Sequence, residues 1–170
     1  MKKLGIIFTA FLLLLVTGCS FGNKANNNDN NSNNSGNTNT NGVKTMTCTK
    51  EEVDEYNDKT TETMVITYNS NKVLTVKQTA LSEMDPEDLA FSYGFASIFV
   101  SAFNNIDGME VSISKIGDNK METVMNIDYD QLNLEQLEEL NMSDEESLYG
   151  SNSYTIDSFR TNFLEGYSCK

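Results

Sequence analysis

Residues 60–81 read TTETMVITYNSNKVLTVKQTAL, and this stretch decides the fold. Met64, Ile66 and Tyr68 alternate with polar or β-branched residues, which is the period-two pattern of a strand with one buried face. The polar turn NSNK follows at 69–72, and a second β-prone run then continues to the end of the stretch. Two β-prone runs joined by a short polar turn predict an antiparallel β-hairpin.

A second hairpin is predicted farther along the chain, where residues 109–116 and 121–129 flank the turn GDNK. In the later run every other residue from Met121 to Tyr129 is apolar or threonine, which again indicates one buried face. A shorter β-prone segment at 44–49 precedes the first hairpin. We therefore expect five strands in two groups.

Helical signals separate and follow the two hairpins. Asp85 can cap a helix and Pro86 suits its first position, so we predict a helix over 86–104. Two shorter helices are predicted over 134–140 and 154–165. The order β-β-β-α-β-β-α predicts an α+β domain, in which two antiparallel β-hairpins form a sheet packed against helices.

Residues 1–18 have the composition of a bacterial lipoprotein signal peptide. Lys2 and Lys3 precede an uncharged apolar run at 4–16, which is too short to cross a membrane as a helix. The sequence VTGC at 16–19 resembles a lipobox, in which one aliphatic and two small residues precede the cysteine that is lipid-modified. The resemblance implies that Cys19 becomes the acylated first residue and anchors the chain in the membrane.

Residues 19–43 form the predicted anchor cysteine and a disordered tether, because 11 of the 20 residues at 23–42 are Asn and almost none is apolar. The remaining residues 44–170 suffice for a single α+β domain. We expect this domain to lie outside the cell, held at the outer face of the cytoplasmic membrane. The Asn-rich composition favours a Gram-positive source.

Charge and composition exclude several classes of function. Residues 44–170 hold 9 basic and 24 acidic side chains, a net charge of −15, which argues against nucleic acid or anionic lipid headgroups as ligands. The chain has no His, so His-ligated metal sites, Ser-His-Asp triads and Cys-His pairs are excluded. No motif for a nucleophile or a phosphate loop is present, so we predict no catalytic residues and no cofactor.

The acidic end of the last predicted strand is the sharpest candidate metal site. Asn126, Asp128 and Asp130 have the spacing with which a calcium-binding loop begins. The pattern then fails, because Gln131 stands where the loop needs Gly and Leu137 stands where it needs a bidentate Glu. We interpret these side chains as the solvated face of a strand and predict no metal site.

Two cysteines remain beyond the anchor, Cys48 in the first predicted strand and Cys169 next to the last residue. Disulfides persist outside the cell, so the predicted export favours a bridge that joins both ends of the domain. Two free thiols or a redox pair are the alternatives. A redox role is disfavoured because there is no C-x-x-C motif and no His that could lower a thiol pKa.

The most apolar part of the predicted domain is the segment 89–103. Phe91, Phe95, Phe99 and Phe103 recur in it every four residues. A helix that is apolar nearly all round is normally buried in the core. The alternative is that these phenylalanines form a face for an unknown partner protein or a small apolar ligand.

Several segments resemble the YehR-like family of bacterial lipoproteins, which has no assigned biochemical function. The resemblance rests on TMVITY at 63–68, NKVL at 71–74, KQT at 77–79, NNIDGME at 104–110, and the strand at 124–129 with the segment that follows it. It implies a small α+β domain of hairpins and helices, and it supplies no catalytic residues.

Together these features favour a membrane-anchored extracytoplasmic lipoprotein that is a non-enzymatic binding or envelope-interaction module. Two alternatives stay open: a carboxylate-dependent enzyme acting on cell-wall material, and an accessory subunit of a membrane complex. An exposed phenylalanine face would favour docking or an apolar ligand. A cleft between two facing carboxyl groups would favour the enzyme.

Overall fold

A computed structural model describes residues 42–55, 57–140 and 148–170. The predicted signal peptide, Cys19 and the predicted tether up to residue 41 lie outside the described residues. In chain order the elements are β1 (Val43–Val53), β2 (Lys59–Asn69), β3 (Lys72–Glu83), α1 (Pro86–Phe103), β4 (Met109–Ile116), β5 (Lys120–Asp128), α2 (Leu134–Glu139), α3 (Ile156–Phe163) and β6 (Ser168–Cys169). Within these ranges, no helix has the length and hydrophobicity needed to cross a membrane.

The described strands form one antiparallel sheet in the order β4-β5-β3-β2-β1-β6. Both predicted hairpins are present, as β2–β3 and β4–β5. They join through β3 and β5, which pair from Thr75 opposite Asp128 to Glu83 opposite Lys120. The predicted α+β class, with two hairpins in one sheet against helices, is confirmed.

One face of the sheet carries the hydrophobic core. Along β5 the alternate residues from Met121 to Ile127 are buried and the residues between them are more exposed, as the sequence pattern predicts. The β2 residues Met64, Ile66 and Tyr68 are buried on the same side. Aromatic side chains complete this core, the largest fully buried ones being Tyr129 in the turn after β5, Tyr149 in a turn before α3, and Phe159 on α3.

Helix α1 packs on the core face over β4 and β5. Asp85 takes the N-cap position, although its side chain makes no capping hydrogen bond. At the other end, the Asn104 side chain donates to the carbonyl of Val111 at 2.9 Å and accepts from its N–H at 2.6 Å. This amide satisfies both backbone groups of Val111, so it protects the outer edge of β4 in place of another strand.

The C-terminal helices are defined by capping residues. The Asn133 side chain caps α2 by accepting two backbone N–H groups. Helix α3 begins at Ile156 and is shorter than predicted, because the carbonyl of Tyr154 accepts from the N–H of Val73 and so belongs to an extended segment. Thr155 then caps α3 through its side chain.

Two further differences from the sequence prediction concern strands at the edge of the sheet. β1 extends to Val53 because it pairs with β2 along its whole length. β6 is not predicted, because two residues carry no readable period. It pairs with β1 through Cys48 opposite Cys169, and backbone hydrogen bonds between Thr47 and Lys170 extend the pairing.

Candidate functional site

Two surfaces lie outside the core contacts and could bind a partner. One is the solvent-facing side of α1, and the other is the face of the sheet opposite the core, which we call the open face. Helix α1 is unusual for a surface helix, because no charged residue occurs between Leu89 and Ile106. Its exposed large apolar side chains are Phe91, which is 54% exposed, and Ile98, which is 69% exposed.

The four predicted phenylalanines do not form a single surface. Phe103 is only 3% exposed and packs edge-on against Tyr149 in the core. Phe99 is partly buried against the same core, whereas Phe91 stacks beside Phe95 with ring centroids 6.5 Å apart. An α-helix turns about 100° per residue, so positions 91 and 103 are rotated by roughly 120° from each other. The four phenylalanines are therefore divided between the core and the surface.

The rest of the exposed side of α1 consists of small residues. Ala90, Gly94, Ser97 and Ser101 are exposed there. A Cβ added at Gly94 would meet no atom within 4 Å, so the helix backbone is open to close approach from outside. Together with Phe91 and Ile98, these residues form what we call the α1 outer face. Its chemistry is that of a helix-packing surface rather than of an ordinary solvated helix.

The open face of the sheet carries mostly short side chains, and none of its residues is fully buried. The strand register places threonines of β1, β2 and β3 on it, namely Thr45, Thr47, Thr49, Thr61, Thr63, Thr67, Thr75 and Thr79. Lys77 stands among them, between Val65 on β2 and Asn126 on β5. The open face is thus a polar surface whose charged residues lie mostly toward its ends and on β4 and β5, with Lys77 as its central basic group.

A cleft of about 380 Å³ lies on the open face over β3, β5 and β4, and we call it the Lys77 cleft. Side chains of the three strands and Gly108 line it, including Thr75, Lys77, Glu110, Asn126 and Asp128. Lys77 is opposite Asn126, which is opposite Glu110, so these three residues form one row across the sheet. Lys77 carries no signal in the sequence beyond being a basic residue on the polar side of β3.

Hydrogen bonds hold the polar groups of the Lys77 cleft. Asn126 Nδ2 donates to Glu110 Oε2 at 3.3 Å. The Asp128 carboxylate accepts from the backbone N–H of Asp130 at 3.0 Å and from the side-chain amide of Gln131 at 2.6 Å. The two carboxylates are therefore bound by neighbouring amides.

Lys77 has no carboxylate within 4.0 Å of its Nζ among the described residues, whereas half of the described lysines do. Lys50, Lys59, Lys72 and Lys120 each form an ion pair with a nearby acid. The pair with Lys120 lowers the pKa of Glu83 below its ordinary value. Among the described residues, therefore, no carboxylate forms an ion pair with the Lys77 ammonium group, which could pair with a ligand instead.

The residues of the failed calcium pattern are separated by the fold. Asn126 and Asp128 lie on the open face of β5, whereas Asp130 lies in the following turn and pairs with Lys72 at 2.5 Å. Within 42–55, 57–140 and 148–170, no three Cys, Asp or Glu residues come together in a way that could hold a metal ion.

The two ends of the described chain meet at the β1 edge. The Sγ atoms of Cys48 and Cys169 are bonded at 2.03 Å, so the pairing that the sequence predicts is present. Beside the bridge, the Tyr167 hydroxyl donates to Glu62 and Lys50 Nζ lies 5.7 Å from the Tyr167 ring centroid. Burial, followed by the hydrogen bond to the Glu62 carboxylate, raises the pKa of Tyr167 well above its ordinary value. This cluster joins the C-terminus to the sheet.

Comparison with known proteins reveals similarity of fold. No protein-family model and no curated protein matches the chain. The NMR structure of a protein from Streptococcus pneumoniae TIGR4 matches with a TM-score of 0.53 and 14% identity, over 90% of this chain and 100% of that one. The NMR structure of the Escherichia coli YehR protein matches with a TM-score of 0.51 and 14% identity, over 72% of this chain and 88% of that one. The chain therefore has a YehR-like fold.

Proposed function

We propose that this protein is an extracytoplasmic lipoprotein, anchored through Cys19, that acts as a non-enzymatic binding module at the cell envelope. The VTGC sequence behind a short apolar run supports the anchor and the location. The domain docks another envelope protein through the α1 outer face. The exposure of Phe91 and Ile98 on a helix whose charged residues, Glu87 and Asp88, are confined to the first turn is the observation that carries the binding function.

A protein helix is the occupant that this face suits best. Large contiguous apolar patches, of more than a few hundred Å², are rare on monomeric proteins and mark interaction sites, and Phe91 and Ile98 are the exposed large apolar side chains from which such a patch would be built. The small residues Ala90, Gly94 and Ser97 allow a second helix to approach closely, while Phe91 and Ile98 supply apolar contact area. The domain has a net charge of −15, and α1 carries no charged residue after Asp88, so this part of the surface is where another acidic protein could approach with the least repulsion.

The cell-wall enzyme is less well supported by the geometry. Catalytic carboxyl pairs face each other across a space that admits the substrate bond. In the Lys77 cleft, Glu110 accepts from Asn126 and Asp128 accepts from the segment that follows β5. These bonds occupy the carboxylates with neighbouring amides, which suits ligand binding better than proton transfer.

The docking proposal is tested by site-specific photocrosslinking in intact cells. A photoreactive residue at Ile98 should yield a discrete protein adduct, and the additional Phe91→Ser substitution should reduce that adduct severalfold. Val53→Ser is the matched control, because Val53 is an exposed apolar residue, at 63%, on β1 and outside the α1 outer face. An adduct that Phe91→Ser leaves unchanged, or crosslinks to lipid alone, would contradict docking by this face.

The anchor is tested separately by metabolic labelling with a fatty-acid probe. The wild-type chain should carry the label and sediment with membranes, and Cys19→Ala should lose the label and membrane retention together. Membrane retention of Cys19→Ala equal to that of the wild type would refute the lipid anchor.

A further inference from the structure

The Lys77 cleft has a charge arrangement that the docking function does not use. Lys77 stands on its β3 side, Glu110 on its β4 side, and Asn126 lies between them on β5. Asp128 adds a second carboxylate on the central strand, opposite Thr75. The cleft therefore has one positive group on β3 and two carboxylates beyond it, Asp128 on the neighbouring strand and Glu110 on the strand after that.

We propose that the Lys77 cleft binds a small zwitterion of dipeptide size. The ligand carboxylate pairs with Lys77 and accepts from the Thr75 hydroxyl. The ligand ammonium group lies between Glu110 and Asp128. The Asn126 side chain lies below the middle of the ligand, where its amide contacts the peptide group.

The dimensions of the cleft fit this ligand. Neighbouring strands are about 4.8 Å apart, so the Cα atoms of Lys77 and Glu110 are separated by about 10 Å. An extended dipeptide spans about 7 Å, so it fits between the two residues when their side chains extend toward its ends. The cleft volume of about 380 Å³ lies within the usual range of small-ligand sites, which begins at about 300 Å³.

The charges argue for a ligand that carries both signs. A simple anion would pair with Lys77 but would meet Glu110 and Asp128, and it would be repelled by the net charge of the domain. A simple cation would pair with the acids but would meet Lys77, which has no described carboxylate to neutralise it. A zwitterion satisfies both sides at once.

The affinity expected of such a site is modest. The groups are exposed, and each solvent-exposed charge contact usually changes binding by no more than about fivefold. Binding in the millimolar range is therefore expected, so the measurement must report weak binding directly. NMR titration of the ¹⁵N-labelled chain from residue 19 onward, carrying Cys19→Ser to remove the lipid, meets this need and retains every described residue.

Dialanine is the probe, with two capped analogues as its controls. We expect shifts of backbone amides in β3, β4 and β5 around the cleft with dialanine. N-acetyl-dialanine, which lacks the ammonium group, and dialanine amide, which lacks the carboxylate, should each bind about two- to fivefold more weakly. Equal binding of either capped analogue, or no shift of these amides with dialanine at millimolar concentrations, would overturn the proposal.

Substitutions test which residues make the contacts. Lys77→Gln should weaken dialanine binding about two- to fivefold without weakening the binding of dialanine amide, since that probe has no carboxylate and its ammonium group is relieved of repulsion by Lys77. Glu110→Gln should likewise weaken the binding of dialanine. It should not weaken the binding of N-acetyl-dialanine, since that probe has no ammonium group for Glu110 to contact. Lys44→Gln removes an exposed lysine outside the cleft and serves as the matched control. If Lys44→Gln weakens binding as much as Lys77→Gln, the effect is one of net charge and the site is refuted. The α1 outer face takes no part in these experiments, so their outcome is independent of docking.

Discussion

The bridge between Cys48 and Cys169 leads to a prediction about stability. Cys169→Ser removes the covalent link with little loss of packing, because Cys169 is exposed in the two-residue strand β6. Cys48 is fully buried, so replacing it would add a cavity to the effect. Without the link, β6 is held to β1 by strand pairing that includes two backbone hydrogen bonds between Thr47 and Lys170, at 2.9 and 3.0 Å.

The size of the effect follows from the length of chain that the bridge closes. The two cysteines are 121 residues apart. The chain-entropy relation for a loop of this length yields about 4.9 kcal/mol at 25 °C. Residual structure in the unfolded chain lowers this value, so we expect Cys169→Ser to reduce the free energy of unfolding by about 2–4 kcal/mol. That is a large part of the roughly 5–15 kcal/mol by which such domains are stable.

Urea unfolding followed by circular dichroism measures this loss. We expect the oxidised wild type to unfold at a higher urea concentration than Cys169→Ser. The wild type treated with a thiol reductant should unfold like the variant. Ser168→Ala is the control, because it alters the neighbouring residue of β6 and keeps the bridge. A loss below about 1 kcal/mol in Cys169→Ser, or an equal loss in Ser168→Ala, would refute the reasoning that the bridge acts by closing the chain.

Two further predictions concern the turn after α1 and two tyrosines. Gly108→Ala should lower the free energy of unfolding by more than about 2 kcal/mol in urea titration, because φ is +83° and a Cβ would lie 2.5 Å from the backbone nitrogen of Leu132. The control is Gly117→Ala, which also has a positive φ but lies in open space, so it should lower the free energy of unfolding by less. Equal losses in the two variants would show that the contact with Leu132 is unimportant. Burial raises the pKa of Tyr129, and burial together with the Glu62 carboxylate raises the pKa of Tyr167. The folded state therefore keeps these two protons at a pH where the unfolded chain releases them, since an ordinary tyrosine has a pKa of about 10. Stability should therefore be fully present below pH 10 and fall as the pH rises above it, with a shallower fall in Tyr167→Phe; urea midpoints that are the same at pH 9 and pH 11 would contradict this.

Local patterns in the sequence were sufficient for much of the fold. The alternation along β5 from Met121 to Ile127 predicts which side chains enter the core, because successive residues of a strand point to opposite faces. Asp85 and Pro86 predict the start of α1 for an equally local reason, since the first turn of a helix needs no N–H from proline. Strand and helix identity thus depend on neighbours in the chain, which the sequence displays.

The candidate sites could be predicted from the sequence only in part. The four-residue repeat of phenylalanines predicts one face, but the structure assigns Phe91 to the surface and Phe103 to the core. That division depends on where α1 lies on the sheet, which is set by contacts with β4 and β5. Lys77 was not noticed because its role depends on strands that are distant in sequence, which place it in a row with Asn126 and Glu110.

The α+β class, the two hairpins, the candidate bridge and the expectation of a lipid anchor at Cys19 could all be inferred from the amino-acid sequence. Each of these rests on residue period, turn chemistry or a short motif, and such features act over a few residues. Only the tertiary structure decided the strand order β4-β5-β3-β2-β1-β6, the pairing of β6 with β1, and the gathering of Lys77, Glu110 and Asp128 around one cleft. The physical reason is that strand pairing and helix packing are contacts between distant segments, and their geometry depends on how all buried faces meet in a single core.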